Sequence, residues 1–403
     1  MLWGDLLYLP VQLHLLHASV AHAAPLAVRV TICTAIVTIV AMQLLYRRHI
    51  ARCSATPWRD MAALTCRPWL WLCYANHVAM CAWARLFHRG FATYVFYVGV
   101  LACLSGMLMR VRATWHRAEI SDKICRASFG IGLARYTRMC LLSMLPHMLL
   151  KSAYPSMYVA IFGYASATTA AQNGAESTAE QHWPLKWILA ELLVGYAITI
   201  FYIKHGGWWY YTWHRKLHDD PVLYRAIHKW HHLHKPSLPL ASGTETCLEW
   251  AGAHANPCTI FPWYIVFVQL IDTIEIENHN SASWLLSGGS QTAESPCMHA
   301  DMHYTSAGAN DGPRRGNDYH LKHHLTPHAN FGIEIERDYD EKGGSARELE
   351  ESDLRFVARA AGVEKGMPPR PLAEVRCRRH NHNINLTSHG RVTIAGELVA
   401  ERG

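Results

Sequence analysis

Apolar residues gather along the chain in long uncharged runs separated by basic or polar loops. Val30–Tyr46 ends at Arg47 and Arg48, and Pro68–Ala84 ends at Arg85. Phe91–Met109 closes at Arg110 and Arg112. Met139–Ala167 is interrupted only by His147, Lys151 and prolines that predict a kink. Trp187–Ile203 carries Glu191 alone. A helix crossing a bilayer needs about 20 mainly apolar residues, so these runs predict five membrane helices. Arg47–Arg67 and Arg110–Arg138 are rich in Lys and Arg, whereas residues 171–182 hold none. The positive-inside rule then places the first two loops in the cytosol and delivers the chain to the cytosolic face at Lys204. The basic turn at Arg85 and Arg89 falls on the outer side, against the rule.

The flanks differ from this pattern. Ala21-His22-Ala23 looks like a cleavage site, but no basic region precedes it, and Asp5, Pro10, His14 and His17 interrupt the run. Residues 1–29 therefore read as an interfacial N-terminal segment. Asp340–Glu351 is densely charged, and Ser345–Ala361 could form one amphipathic helix. Pro368, Pro369, Pro371 and a basic run at 376–379 follow. Residues 338–403 thus read as a charged cytosolic tail, partly disordered. The expected fold is all-α: a polytopic membrane helical bundle over residues 30–186 with a helical metal domain at the cytosolic face over residues 187–337.

Composition supports a folded membrane protein. Half of the 403 residues are hydrophobic and 17% are charged, against about 25% in soluble domains. The net charge of +7 is modest and lies in particular loops, and no nucleic-acid partner is expected. The 12 cysteines form no CxxC pair, which argues against a zinc ribbon, a thioredoxin-type site or a disulfide framework. Histidine is the anomaly, with 27 residues, 15 of them between His205 and His328. Imidazole in such density suits metal ligation.

Three histidine boxes stand out. His214 and His218 lie four apart, on one face of a helix. His228, His231 and His232 have spacings that put them on one helical stripe, with Asp220 as N-cap, Pro221 at the first helical position and Lys235-Pro236 as the stop. His320, His323 and His324 repeat that spacing later in the chain. A single box would more often be a solvated histidine pair than a ligand set. Three together point to a metal, although spacing alone does not choose which one.

The run from Trp213 to His232 reads WHRKLHDDPVLYRAIHKWHH, and HLKHH at His320 is followed by Asn330-Phe331-Gly332. These motifs resemble the signature of the fatty acid hydroxylase/sterol desaturase superfamily over roughly Trp187 to Gly332. The resemblance implies a membrane-embedded diiron oxidoreductase that uses O2 to hydroxylate or desaturate a lipid, sterol, fatty acyl or sphingolipid. Electrons would come from NAD(P)H through a separate cytochrome b5 or reductase, and the endoplasmic reticulum membrane is the expected location. It makes His214, His218, His228, His231, His232, His320, His323 and His324 the core iron ligands, with His279, His299 and His303 as further candidates. Of the family's His-Pro-x-x-Glu element only Glu249 has a match. The interval between the first two boxes is too short for a membrane excursion, which argues against acyl-lipid desaturases. Asp272, Glu275 and Glu277 are candidates to orient the imidazoles, and Trp208–Trp213 reads as an interfacial aromatic belt. Two other readings are a non-catalytic His-rich metal-binding membrane protein and a degenerate scaffold member of the same family.

Overall fold

A computed structural model describes residues 3–84, 89–115, 118–172, 185–205, 207–235, 237–255, 321–332, 337–348, 350, 352–353, 356, 359, 384–386 and 392–394. The described chain is helical except for one short hairpin. In order come α1 (Trp3–Ala21), α2 (Leu26–Leu45), α3 (Arg47–Ile50), α4 (Pro57–Leu64), α5 (Pro68–Ala84), α6 (Arg89–Trp115) and α7 (Ala118–Phe129). Then follow α8 (Leu133–Gln172), α9 (Leu185–His205), α10 (Gly207–Asp219), α11 (Pro221–Leu223), α12 (Cys247–Ala253) and α13 (Arg337–Gly343). The all-α expectation holds for the architecture, beside which one short hairpin, β1 (Ile384–Leu386) and β2 (Val392–Ile394), pairs antiparallel with Ile384 opposite Ile394.

The apolar runs found in the sequence fall on helices, the first of them ending with Tyr46 as the C-cap of α2. Among the described residues, two helical stretches, Leu26–Leu45 and Phe96–Trp115, are long and apolar enough to cross a membrane. The outer face of α2 is itself apolar: Leu26, Val30, Val37 and Leu44 are all exposed. Single exposed apolar residues are ordinary, but a whole apolar stripe on a 20-residue helix suits lipid rather than water. α8 runs unbroken for 40 residues through Pro146 and Pro155, where the sequence predicted a kink.

The chain divides into two compact units. The first comprises Met1–Leu108, Arg138–His232 and Gly243–Thr273. Here α1, read from the sequence as an interfacial segment, is a packed helix. It packs on α2 and α12, burying Tyr8, Val11, Leu15 and Ala18 at helical spacing. Its N-terminus is pinned by the Asp5 carboxylate, which accepts the Cys247 N–H at 2.6 Å. Gly4 is required there, because a Cβ would sit 2.8 Å from Thr246 Oγ1. α4 is tied to the chain after α11 through Asp60, which accepts two hydrogen bonds from Arg225 at 2.8 and 3.0 Å and one from Ser54 at 2.6 Å.

The second unit comprises Met109–Thr137, Leu233–Ser242 and Ile274–Gly403. The 233–242 segment is held by Thr114 Oγ1, which accepts the Leu240 N–H, and by Tyr136, whose hydroxyl meets His234 Nδ1 at 2.9 Å. The charged segment from 337 onward is not one helix from Ser345. α13 ends at Gly344, whose φ of +72° suits glycine, and Ser345 folds back on Asp340.

Burial alone would raise the Asp60 carboxyl, but the Arg225 and Ser54 hydrogen bonds and the Arg225 charge outweigh it and hold the pKa below the ordinary value. A group whose pKa is lower when folded adds stability above its unfolded pKa of about 3.9 and loses it as pH falls through the folded value. The thermal midpoint in detergent should therefore fall below about pH 4. Asp60→Asn should flatten part of that fall and cost about 1–3 kcal/mol at neutral pH.

Candidate metal centre

Box one sits on α10, where four-residue spacing aligns His214 and His218. The neighbouring Trp213 and Leu217 fill the interior. Trp213 donates its indole N–H to the Glu249 carbonyl at 3.1 Å, and Trp209 donates to the Gly252 carbonyl at 3.1 Å. These two tryptophans therefore tie α10 to α12. Trp208 alone of the three tryptophans here is exposed.

Asp220 ends α10 and starts α11. Its Oδ1 accepts the Val222 and Leu223 N–H groups, and its carboxylate pairs with Arg67 at 2.6 Å. This bears out the N-cap and the Pro221 position read from the sequence. The single helical stripe expected for box two is corrected. Tyr224–His228 is a π-turn, with the Lys229 N–H reaching the Tyr224 carbonyl at 2.7 Å, and His231–Leu233 tightens to a 3₁₀ turn. A π-turn inserts a residue relative to α-helical winding and recurs at functional sites.

The result is a convergence of ring nitrogens. The Nε2 atoms of His214, His218 and His232 lie 3.1, 2.9 and 2.9 Å from His228 Nε2. The ligand atoms of all four histidines lie within 4.8 Å of one another. The four side chains are 1–6% exposed, so bulk water does not solvate them. His228 Nδ1 bonds the Glu249 carboxylate at 2.5 Å. That contact leaves Nε2 as the atom aimed at the cluster.

This geometry fits a cation. Whichever tautomer His228 adopts, its Nε2 offers one in-plane lone pair or one N–H, which serves one neighbour and not three. Metal–nitrogen bonds of about 2.0–2.1 Å at right angles put neighbouring nitrogens about 2.9 Å apart, close to the distances found. The buried histidine cluster could therefore hold a metal ion. The donors are all imidazole plus a supporting carboxylate, which suits iron, zinc, copper or nickel.

Glu249 is the residue that sequence reasoning undervalued. It sits at the third position of α12 in a capping box: Thr246 Oγ1 accepts the Glu249 N–H at 3.0 Å, and Glu249 Oε2 accepts the Thr246 N–H at 3.4 Å. Burial, with Glu245 nearby, pushes its carboxyl well above the ordinary range, against the opposing Thr246 N–H. The pattern Thr-x-x-Glu was the signal that could have found it. The expected orienting carboxylates Asp272, Glu275 and Glu277 lie outside the described residues.

In the second unit, residues 321–325 carry His323 and His324 of box three. His323 donates Nδ1–H to the Ala329 carbonyl at 2.7 Å, which presents Nε2 as its ligand atom. Asn330 turns the chain there with a φ of +52°, and its side-chain amide bonds the backbone of Arg347 at 2.7 and 2.8 Å. Asp340 then accepts the Phe331 and Gly332 N–H groups at 2.9 and 2.7 Å and the Ser345 hydroxyl at 2.6 Å. Lys322 is 4% exposed and pairs with Asp353 and Glu350. Box three is thus framed by residues read from sequence as the start of a tail.

His231 is buried with its ring 5.5 Å from that of His228, but its nitrogens are not among the converging set. His324 is buried beside His323. His279, His299, His303 and His320 lie outside the described residues.

Glu249→Gln keeps an acceptor at the capping box but removes the charge behind His228. It should weaken metal binding about 10- to 100-fold in chelator competition while leaving the circular dichroism unchanged. Asp340→Ala leaves two buried N–H groups without their acceptor, so it should cost about 1–3 kcal/mol and speed hydrogen exchange at Phe331 and Gly332. No protein family, curated protein or solved structure matches the chain.

Proposed function

We propose that the protein is a membrane-bound diiron oxygenase that hydroxylates or desaturates a lipid, taking electrons from a separate cytochrome b5-type donor or reductase. The carrying observation is the meeting of four buried imidazole nitrogens backed by Glu249. The resemblance of the boxes to the fatty acid hydroxylase/sterol desaturase superfamily supplies the reaction class. By that resemblance, box three is proposed to supply further ligands through His323. The further box histidines, His231, His320 and His324, and also His279, His299 and His303, are proposed to join them. Iron bound by these residues would supply O2 reduction and the oxidation of an unactivated C–H bond.

The chain's own residues hold and shield that chemistry. Glu249 fixes the His228 ring and raises its basicity as a ligand. Asp220 and Arg67 set the angle between α10 and α11, so that boxes one and two face each other. Trp213, Trp230 and Trp250, each at most 1% exposed, exclude water around the cluster. The apolar outer face of α2 is suited to a bilayer, from which a lipid chain would enter. The other apolar runs are proposed to span it too, in the endoplasmic reticulum, with the boxes toward the cytosol.

Protein purified in detergent should carry a pair of iron ions per chain. His228→Ala should lose them, because three ring nitrogens face that one atom. Reconstitution with a reductase, cytochrome b5 and bilayer lipid should consume O2 and yield an oxidised lipid. Iron retained in full by a folded His228→Ala variant, or a folded wild type that binds no metal, would sink this reading.

A further inference from the structure

A second cluster of metal-ligating side chains lies in the first unit, separate from the boxes. His14 on α1 and His77 and Cys81 on α5 offer ligand atoms within 4.8 Å of one another. We propose that these three residues form a second metal site for a zinc-type divalent ion, one that clasps α1 to α5.

The local geometry carries this. His77 and Cys81 are four apart and share one face of α5. Cys81 Sγ lies 3.9 Å from His77 Nε2. Bonds of about 2.3 Å to sulfur and about 2.05 Å to nitrogen separate the two donors by about 3.6 Å at a tetrahedral centre and about 3.8 Å at a trigonal one. The other ring nitrogen of His77 is taken by the Tyr158 hydroxyl of α8. A ligating histidine almost always engages a second partner in this way, which fixes the nitrogen that faces the metal. The His14 ring meets the His77 ring edge-on, with centroids 5.4 Å apart.

His77 is buried, whereas His14 reaches the surface, so the site has both a shielded wall and an entry path. α5 is otherwise uncharged from Pro68 to Ala84. Two imidazoles and a thiolate suit a borderline-soft ion without strong geometric demands, which is zinc. Binding releases the Cys81 thiol proton to solvent, and the three protein ligands leave a fourth position open. The consequence is mechanical. α1 also carries Asp5 and Gly4, which seat on Cys247 and Thr246 at the start of α12.

Cobalt(II) serves as the probe for zinc, because thiolate bound to it adds a near-ultraviolet charge-transfer band that imidazole alone does not. The full chain, stripped of metal in detergent, is titrated with Co2+. The expected result is one thiolate-type band per chain, displaced by Zn2+, absent in Cys81→Ser and shifted to about tenfold higher Co2+ in His14→Ala. No such band in the wild type would overturn the proposal, as would a band unchanged in both variants. His14 is exposed, so His14→Ala decides the matter if Cys81→Ser does not fold. The box cluster contains no thiol, so this readout is independent of whether the boxes bind iron.

Discussion

The site turns on a single lone pair. His228 Nε2 faces three other imidazole nitrogens at about hydrogen-bond distance, and it can form a hydrogen bond with one of them. A second or third neutral imidazole directed at the same atom repels it unless a cation stands between. Mutual exclusion of this kind would ordinarily drive buried side chains apart. The fold instead forces them together from α10, the π-turn and the turn that follows.

That force is transmitted by packing and by hydrogen bonds within the first unit. Glu249 holds the far side of the His228 ring, and α12 holds Glu249 through the Thr246 capping box. α12 is held in turn by Trp213, which lies so close that a Cβ on Gly252 would come within 2.0 Å of its ring. Only glycine permits that approach. On the other side, α4 grips the π-turn through Asp60 and Arg225. A wide turn has poorer internal hydrogen bonding than an α-helix and persists where side chains outside it hold it in place.

Much of this was legible in the sequence, and the reasons differ by element. Boxes one and two declare themselves by spacing, and Asp220-Pro221 announces a helix start by its chemistry. The π-turn does not, because residues four apart share a face in either winding and the pattern hides the extra residue. Glu249 is 21 positions from His228. No local periodicity connects them, and the carboxylates nearer to box three looked equally suitable. The support of box three was hidden for another reason. Asp340, Ser345 and Arg347 sit in a charged stretch that resembles a solvated tail, and their bonds to backbone N–H and C=O groups leave no mark in composition.

The carboxylates also separate by the company they keep. Asp60 and Asp220 lie against guanidinium groups, and for each the hydrogen bonds and charge outweigh burial and hold the pKa down. Glu249 is deeper and faces an imidazole, and burial pushes its carboxyl up. A carboxylate there is stable only when positive charge lies within reach. A proton on His228 supplies it for one neighbour, but turns the ring's N–H toward a single imidazole and leaves two others facing it. A metal ion shared by the ring nitrogens supplies the same charge through the His228 ring and satisfies every lone pair at once. Ligand geometry and the supporting carboxylate thus ask for the same thing, a cation at the meeting point of the four nitrogens.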